Sequence, residues 1–100
     1  MRKIILSKRA SNRLEKLLKY LELEWSLKVK NEFIKKLDKS LTQIQKFPNS
    51  CPKSDIVTGL HMFVVTKQTS IFYRFDKQTI TILTIFDNRM NPDRLKIEIG

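Results

Sequence analysis

Three stretches of this chain carry side chains able to bind or turn over a ligand. The first is Lys8, Arg9 and Arg13, with Arg2 and Lys3 before them and Lys16 after. Their neighbours' spacing makes them the opening of a helix, where the dipole prefers anions and each exposed cation costs ~0.3–1 kcal/mol. Stability alone does not select that arrangement. It points to contact with phosphate or carboxylate, against the plainer reading of a solvated helix face. The second stretch is Asp87-Asn88-Arg89, placed by the pattern at a strand end, where a rigid scaffold presents polar groups. There Asp87 either orients the Arg89 guanidinium for bidentate recognition of an oxyanion or closes the sheet edge as a structural Asp–Arg turn. The third is His61, the sole histidine, on a strand, where such a residue is more often structural than catalytic. Tyr73 and Arg74 are neighbours on a strand and so face opposite sides of it.

Other chemistries find no support. Cys51 is the only cysteine, which excludes an internal disulfide framework and a Cys-rich zinc site. Its loop offers no His–acid partner that would make it a nucleophile. Neither a Gly-rich phosphate loop nor a His/Cys cluster is present, so the expectation is no metal and no cofactor. Any hydrolysis would rest on Arg, Lys, His or Tyr positioning an RNA whose own 2′-hydroxyl is the nucleophile.

The charge balance names a kind of partner. Twenty Lys+Arg against ten Asp+Glu leave +10 on 100 residues, beyond the magnitude of about 2–8 that suits a small soluble domain. Residues 1–50 hold 13 of the basic and 5 of the acidic side chains, so the surplus sits in the first half. Such an excess suggests nucleic acid, an acidic protein or a membrane surface as partner. No apolar run approaches the ~20 residues that cross a bilayer, and Ile4-Ile5-Leu6 is too short for a signal-peptide core. The expected location is the cytoplasm, without membrane association.

The elements that must position these residues follow from periodicity. At 41% hydrophobic and 30% charged residues with only two glycines, the composition is globular, and the length suits one domain over 1–100. Lys3-Ile4-Ile5-Leu6 reads as a short strand. Ser7 then offers an N-cap, and Ala10, Leu14, Leu17, Leu18 and Leu21 predict a helix over about 8–23. Val29, Phe33, Ile34, Leu37, Leu41, Ile44 and Phe47 predict a second over about 26–47, stopped by Pro48. The short junction at Trp25-Ser26 makes the pair an antiparallel hairpin. A loop over 49–55 follows, then β-rich runs at Leu60–Thr66, Ile71–Phe75 and Ile80–Phe86, joined by short turns that favour antiparallel pairing. Ile80, Ile82 and Phe86 alternate on one face of the last run while Leu83 and Ile85 make the other apolar, so that strand should be central. The tail over 91–99 fits either a helical turn or an edge strand. The fold class is α+β, ordered β-α-α-β-β-β: an antiparallel sheet with an N-terminal helix hairpin packed on one face.

Taken in order, these pieces resemble the RelE/ParE family of bacterial toxins from type II toxin–antitoxin systems. The likeness runs through Ala10 and Leu14, Trp25, Phe33, Leu37, Ile44 and Phe47-Pro48. It continues in Gly59-Leu60-His61, Ile71-Phe72-Tyr73-Arg74 and Phe86-Asp87-Asn88-Arg89-Met90-Asn91-Pro92. The resemblance implies a growth inhibitor neutralised by a cognate antitoxin, and it leaves two targets. RelE-like members cleave mRNA on the ribosome with a set of basic side chains; ParE-like members poison DNA gyrase and lack that set. Here Ser70 stands where RelE-like chains often carry Arg, Phe63 is not basic, and His61 replaces the Arg that usually follows Gly-Leu. Each missing donor removes about 2.7–4 kcal/mol of transition-state stabilisation, which favours the ParE-like reading. In the RelE-like alternative, His61 and Arg89 would be the acid/base and phosphate groups. For either target, Lys8, Arg9, Arg13, Lys67, Asp87 and Arg89 are the candidate contacts. A third reading, a non-toxic basic nucleic-acid-binding or adaptor domain, has the basic helix in its favour but no recognition-helix motif.

Overall fold

The computed structural model describes residues 2–49 and 59–87, so Cys51 and its loop, Arg89 and the tail over 91–99 lie outside the described residues. Six elements run in the expected order: β1 (Lys3–Leu6), α1 (Lys8–Glu24), α2 (Leu27–Lys46), β2 (His61–Thr66), β3 (Thr69–Phe75) and β4 (Thr79–Asp87). Both helices start on a serine, Ser7 as the sequence predicts and Ser26 at the junction, just outside the helix expected to include it. Ser7 Oγ accepts from Ala10 N–H at 3.1 Å and Ser26 Oγ from Val29 N–H at 3.1 Å. Between them only Trp25 and Ser26 turn the chain, their N–H groups closing on the Leu21 carbonyl. A Lys30–Glu22 ion pair at 3.0 Å ties one helix to the other.

The four strands form one sheet in the order β1-β4-β3-β2. The β2–β3 and β3–β4 pairs are antiparallel, as their short turns require, but β1 joins β4 in parallel, Lys3 opposite Thr79 and Leu6 opposite Ile82. The sheet is therefore mixed, which corrects the all-antiparallel expectation. The reason lies in the hairpin. α2 brings the chain back to the end of the sheet where β1 began, and there Gln45 Nε2 donates to the Arg2 carbonyl at 2.9 Å. β2 sets out from that end as β1 did, β3 reverses, and β4 again runs the way of β1. Gly59, with φ of 84°, makes the approach to β2 in a conformation that favours glycine.

Packing follows the helical stripes. Ala10, Phe33, Leu37 and Ile44 meet Ile71, Tyr73, Ile80, Ile82 and Ile85 under the hairpin, each large aliphatic contributing ~1.5–3 kcal/mol on burial. Phe47, expected in that stripe, follows the last turn of α2 and is 61% exposed. A second cluster, Leu60, Phe72 and Phe86, occupies the opposite face of the sheet. That placement corrects the assignment of Phe86 to the side of Ile80 and Ile82. Phe72 pairs with Thr84 but Tyr73 with Ile82, leaving Leu83 as an extra residue in β4. A bulge of this kind flips the alternation beyond it, so Ile85 takes the helix side and Phe86 the other.

Candidate functional site

Near the hairpin tip a groove of about 750 Å³ opens between the two helices and the β2–β3 end of the sheet. Leu17, Leu21, Val29, Phe33 and Ile85 contribute apolar lining, and Thr66–Thr69 and Asp87 close it from the sheet side. Along its rim stand Arg13, Lys16, Lys36 and Lys67 against Glu32 and Asp87. Tyr20 and Trp25 line it too, 48% and 67% exposed. Leu14, Leu17, Leu18 and Leu21 already fill the core-facing stripe of α1, so Tyr20 and the junction residue Trp25 fall outside it. Large aromatics bordering an apolar trough suit a protein partner.

Among the candidates read from the sequence, Arg13, Lys67 and Asp87 come together on this groove. Lys67 and Gln68 form the β2–β3 turn, and Asp87 pairs with Thr69 directly after it. Lys8 and Arg9 do not line the groove. They lie exposed in the first turn of α1, which holds no acidic residue. Arg2, expected beside them, sits at the far end of β1 with its guanidinium over the Phe75 ring, 5.5 Å from the centroid.

His61 is placed elsewhere. It pairs with Tyr73, its ring stacked on the tyrosine at 5.5 Å and tilted over Phe75 at 5.2 Å. Tyr73 is fully buried and donates its hydroxyl to the Pro48 carbonyl at 2.8 Å, whereas Arg74 is exposed, on the opposite side as expected. The His61 row and the Asp87 row meet β3 at Tyr73 and Thr69, four steps apart, about 13 Å at the usual rise of a strand. His61 therefore shares no site with Lys67 and Asp87. Among the described residues no group of three His, Cys, Asp or Glu side chains stands ready to hold a metal. None of the helices there is long and apolar enough to cross a membrane.

Sequence reasoning missed the aromatic rim and the groove beneath it. The available signal was the position of Tyr20, Leu23 and Trp25 off the apolar stripe, all strongly exposed on a chain that can bury few large side chains.

A short mixed sheet, a helix hairpin across one face and a basic-rimmed groove near its tip define a small α+β protein of the toxin fold type. Over residues 4–92 the chain matches the ParE toxin family, described as the ParE toxin of the type II toxin–antitoxin system parDE. It belongs to that family and is the toxin of such a system. Among curated proteins none matches its sequence significantly. Solved structures share the fold at low identity. A chain of the chromosomal ParDE toxin–antitoxin system from P. aeruginosa superposes with a TM-score of 0.73 at 15% identity, covering 87% of this chain and 96% of that one. YoeB from Staphylococcus aureus gives 0.58 at 19% identity, covering 83% and 92%. A YafQ mutant from E. coli gives 0.55 at 13%, covering 89% and 96%.

Proposed function

We propose that this toxin acts on DNA gyrase, as a binding poison rather than a nuclease, and that its cognate antitoxin docks in the groove under the hairpin tip. The observation that carries the choice of target is the match of residues 4–92 to the ParE toxin family. The donor set supports it: Ser70 stands where RelE-like chains often carry Arg, Phe63 is not basic and His61 replaces an Arg. Each such donor is worth about 2.7–4 kcal/mol of transition-state stabilisation. The groove supports the antitoxin's place. An amphipathic, acidic segment would set its apolar side on Leu17, Leu21 and Phe33 and its carboxylates against the four rim cations.

The test is induction in bacteria with pulse labelling of protein and DNA synthesis. Growth should stop, co-expressed antitoxin should restore it, and replication should stall with DNA damage before translation falls. Rapid loss of translation with mRNA cleavage would instead identify the ribosome as target. Arg89 remains a proposed target contact under either outcome. Arg89→Ala should lower toxicity tenfold to hundredfold, the effect of losing a charge-assisted bond of about 1.5–3 kcal/mol, with the melting temperature and antitoxin binding unchanged. Full toxicity at unchanged stability would remove Arg89 from the site.

A further inference from the structure

At the end of the sheet away from the groove, the start of β1, the last turn of α2 and the β3–β4 turn enclose a second, open cleft of about 610 Å³. Among the described residues its lining is Arg2, Gln45, Lys46, Lys77 and Gln78: three cations and two amides, with no carboxylate or apolar side chain among them. We propose that this cleft binds the phosphodiester backbone of a nucleic acid, at a site separate from the antitoxin groove.

The frame is built, not incidental. Gln45 Nε2 donates to the Arg2 carbonyl at 2.9 Å, Lys3 N–H to the Gln78 carbonyl at 2.9 Å, and Arg2 Nε to the Asp76 carbonyl at 2.7 Å. These bonds lock three chain segments together and seat the guanidinium over Phe75. Only Nε of Arg2 is engaged among the described residues, which leaves the terminal N–H groups of its fork for an oxyanion. Asp76, which also feels the Arg2 charge, uses one carboxylate oxygen to close the turn: its Oδ1 accepts from Gln78 N–H at 2.8 Å and Thr79 N–H at 2.7 Å. Neither Lys46 nor Lys77 meets a carboxylate among the described residues, so the cleft concentrates positive charge that an anion would offset. Lys46 gains a little from the C-terminal end of α2 and Arg2 is held by Asp76 and Phe75, whereas no contact among the described residues accounts for Lys77 in the cleft.

The lining also selects among anions. A stably bound acidic peptide gains from apolar contact, which the groove under the hairpin provides and which the described lining of this cleft does not. A phosphate backbone is held by Arg, Lys and Gln donors alone. Nothing here depends on the gyrase reading, since the cleft's ligand can be tested without any cellular target.

The experiment measures binding of the full purified chain to short labelled duplex DNA and to single-stranded RNA by fluorescence anisotropy, from about 50 to 200 mM salt. Lys46→Gln/Lys77→Gln is compared with Lys19→Gln/Lys35→Gln, which removes the same charge from exposed helix positions. The cleft variant should bind at least tenfold more weakly, with the salt slope reduced by about 2, while the control changes less than threefold. The stronger binder of the two probes shows which form the cleft holds better, and either supports the proposal. Equal losses in the two variants would reduce the effect to net charge and overturn it, as would absent binding to both nucleic acids. A polyglutamate probe that binds in their place, and is lost in the cleft variant, would give the cleft to an acidic peptide and overturn it equally. Circular dichroism of each variant excludes unfolding as the cause.

Discussion

Two polar side chains fix the end of the sheet where helix, strand and turn converge. Tyr73 sends its hydroxyl out of the core to the carbonyl of buried Pro48, so it sets where the end of α2 rests on β3. Tyr73→Phe keeps the ring and its stacking on His61 but leaves that carbonyl unpaired, which should cost about 1–3 kcal/mol. Urea unfolding measures it, and a loss within error of zero would mean that water replaces the bond. Asp76 acts through charge. Hydrogen bonds from the backbone N–H groups of Gln78 and Thr79, with a smaller contribution from the Arg2 charge, hold its carboxyl below the ordinary value of 3.8. A carboxylate depressed in the folded state stabilises above its unfolded pKa, and that contribution disappears as the pH falls through the folded value. Thermal unfolding at about pH 6 and about pH 3 should therefore show a smaller acid-induced drop for Asp76→Asn than for the natural chain. Equal drops would mean that the turn does not discriminate between the two forms.

Among the elements, α1 depends most on a single residue. Ser7 Oγ accepts from Ala10 N–H, donates to the Leu83 carbonyl at 2.8 Å, and the Ser7 N–H bonds the Ile82 carbonyl at 2.9 Å. It caps the helix and anchors it to the bulge in β4. Ser26 only caps, in an exposed setting. Ser7→Ala should thus fall at the upper end of the ~0.5–2 kcal/mol range for lost caps and Ser26→Ala at the lower, and equal losses by denaturant unfolding would dismiss the tether. The Ser7 cap and both helices were legible in the sequence, because serine ahead of an apolar 3–4 spacing has few other meanings; Ser26 instead reads there as a junction residue in the first turn of the second helix. The parallel placement of β1 was not legible, since it depends on where α2 ends, a long-range fact that no local window holds. Nor was the bulge. Leu83, Ile85 and Phe86 look like a doubly apolar strand, and only the pairing with Phe72 and Tyr73 reveals the extra residue. The site divides in the same way: Arg13, Lys67 and Asp87 were readable as polar candidates, but their convergence on one groove depends on how the helix pair lies against the β2–β3 turn.

At the scale of the whole molecule, the +10 charge is not one diffuse field. It holds a cationic rim around an apolar groove under the hairpin tip, and a polar cationic cleft at the opposite end of the sheet. Charges on a rim mainly steer encounter and are screened beyond ~8 Å at physiological salt, whereas apolar contacts govern how long a complex lasts. If the antitoxin occupies the groove, its association rate should fall as salt rises while its dissociation rate stays nearly constant. Lys16→Glu/Lys36→Glu should slow association by about tenfold at low salt, within the one to three decades over which mutations at one interface move that rate. Lys46→Glu/Lys77→Glu makes the same change in net charge but places it at the other end of the sheet, beyond the range of screening. Its association rate should stay within about threefold of the natural chain at physiological salt, where the Debye length is short. Stopped-flow binding of the three proteins to the antitoxin decides the matter. Equal slowing by both variants would mean that the antitoxin responds to total charge or wraps both ends, and the groove would lose its claim to be the place where the partner is captured.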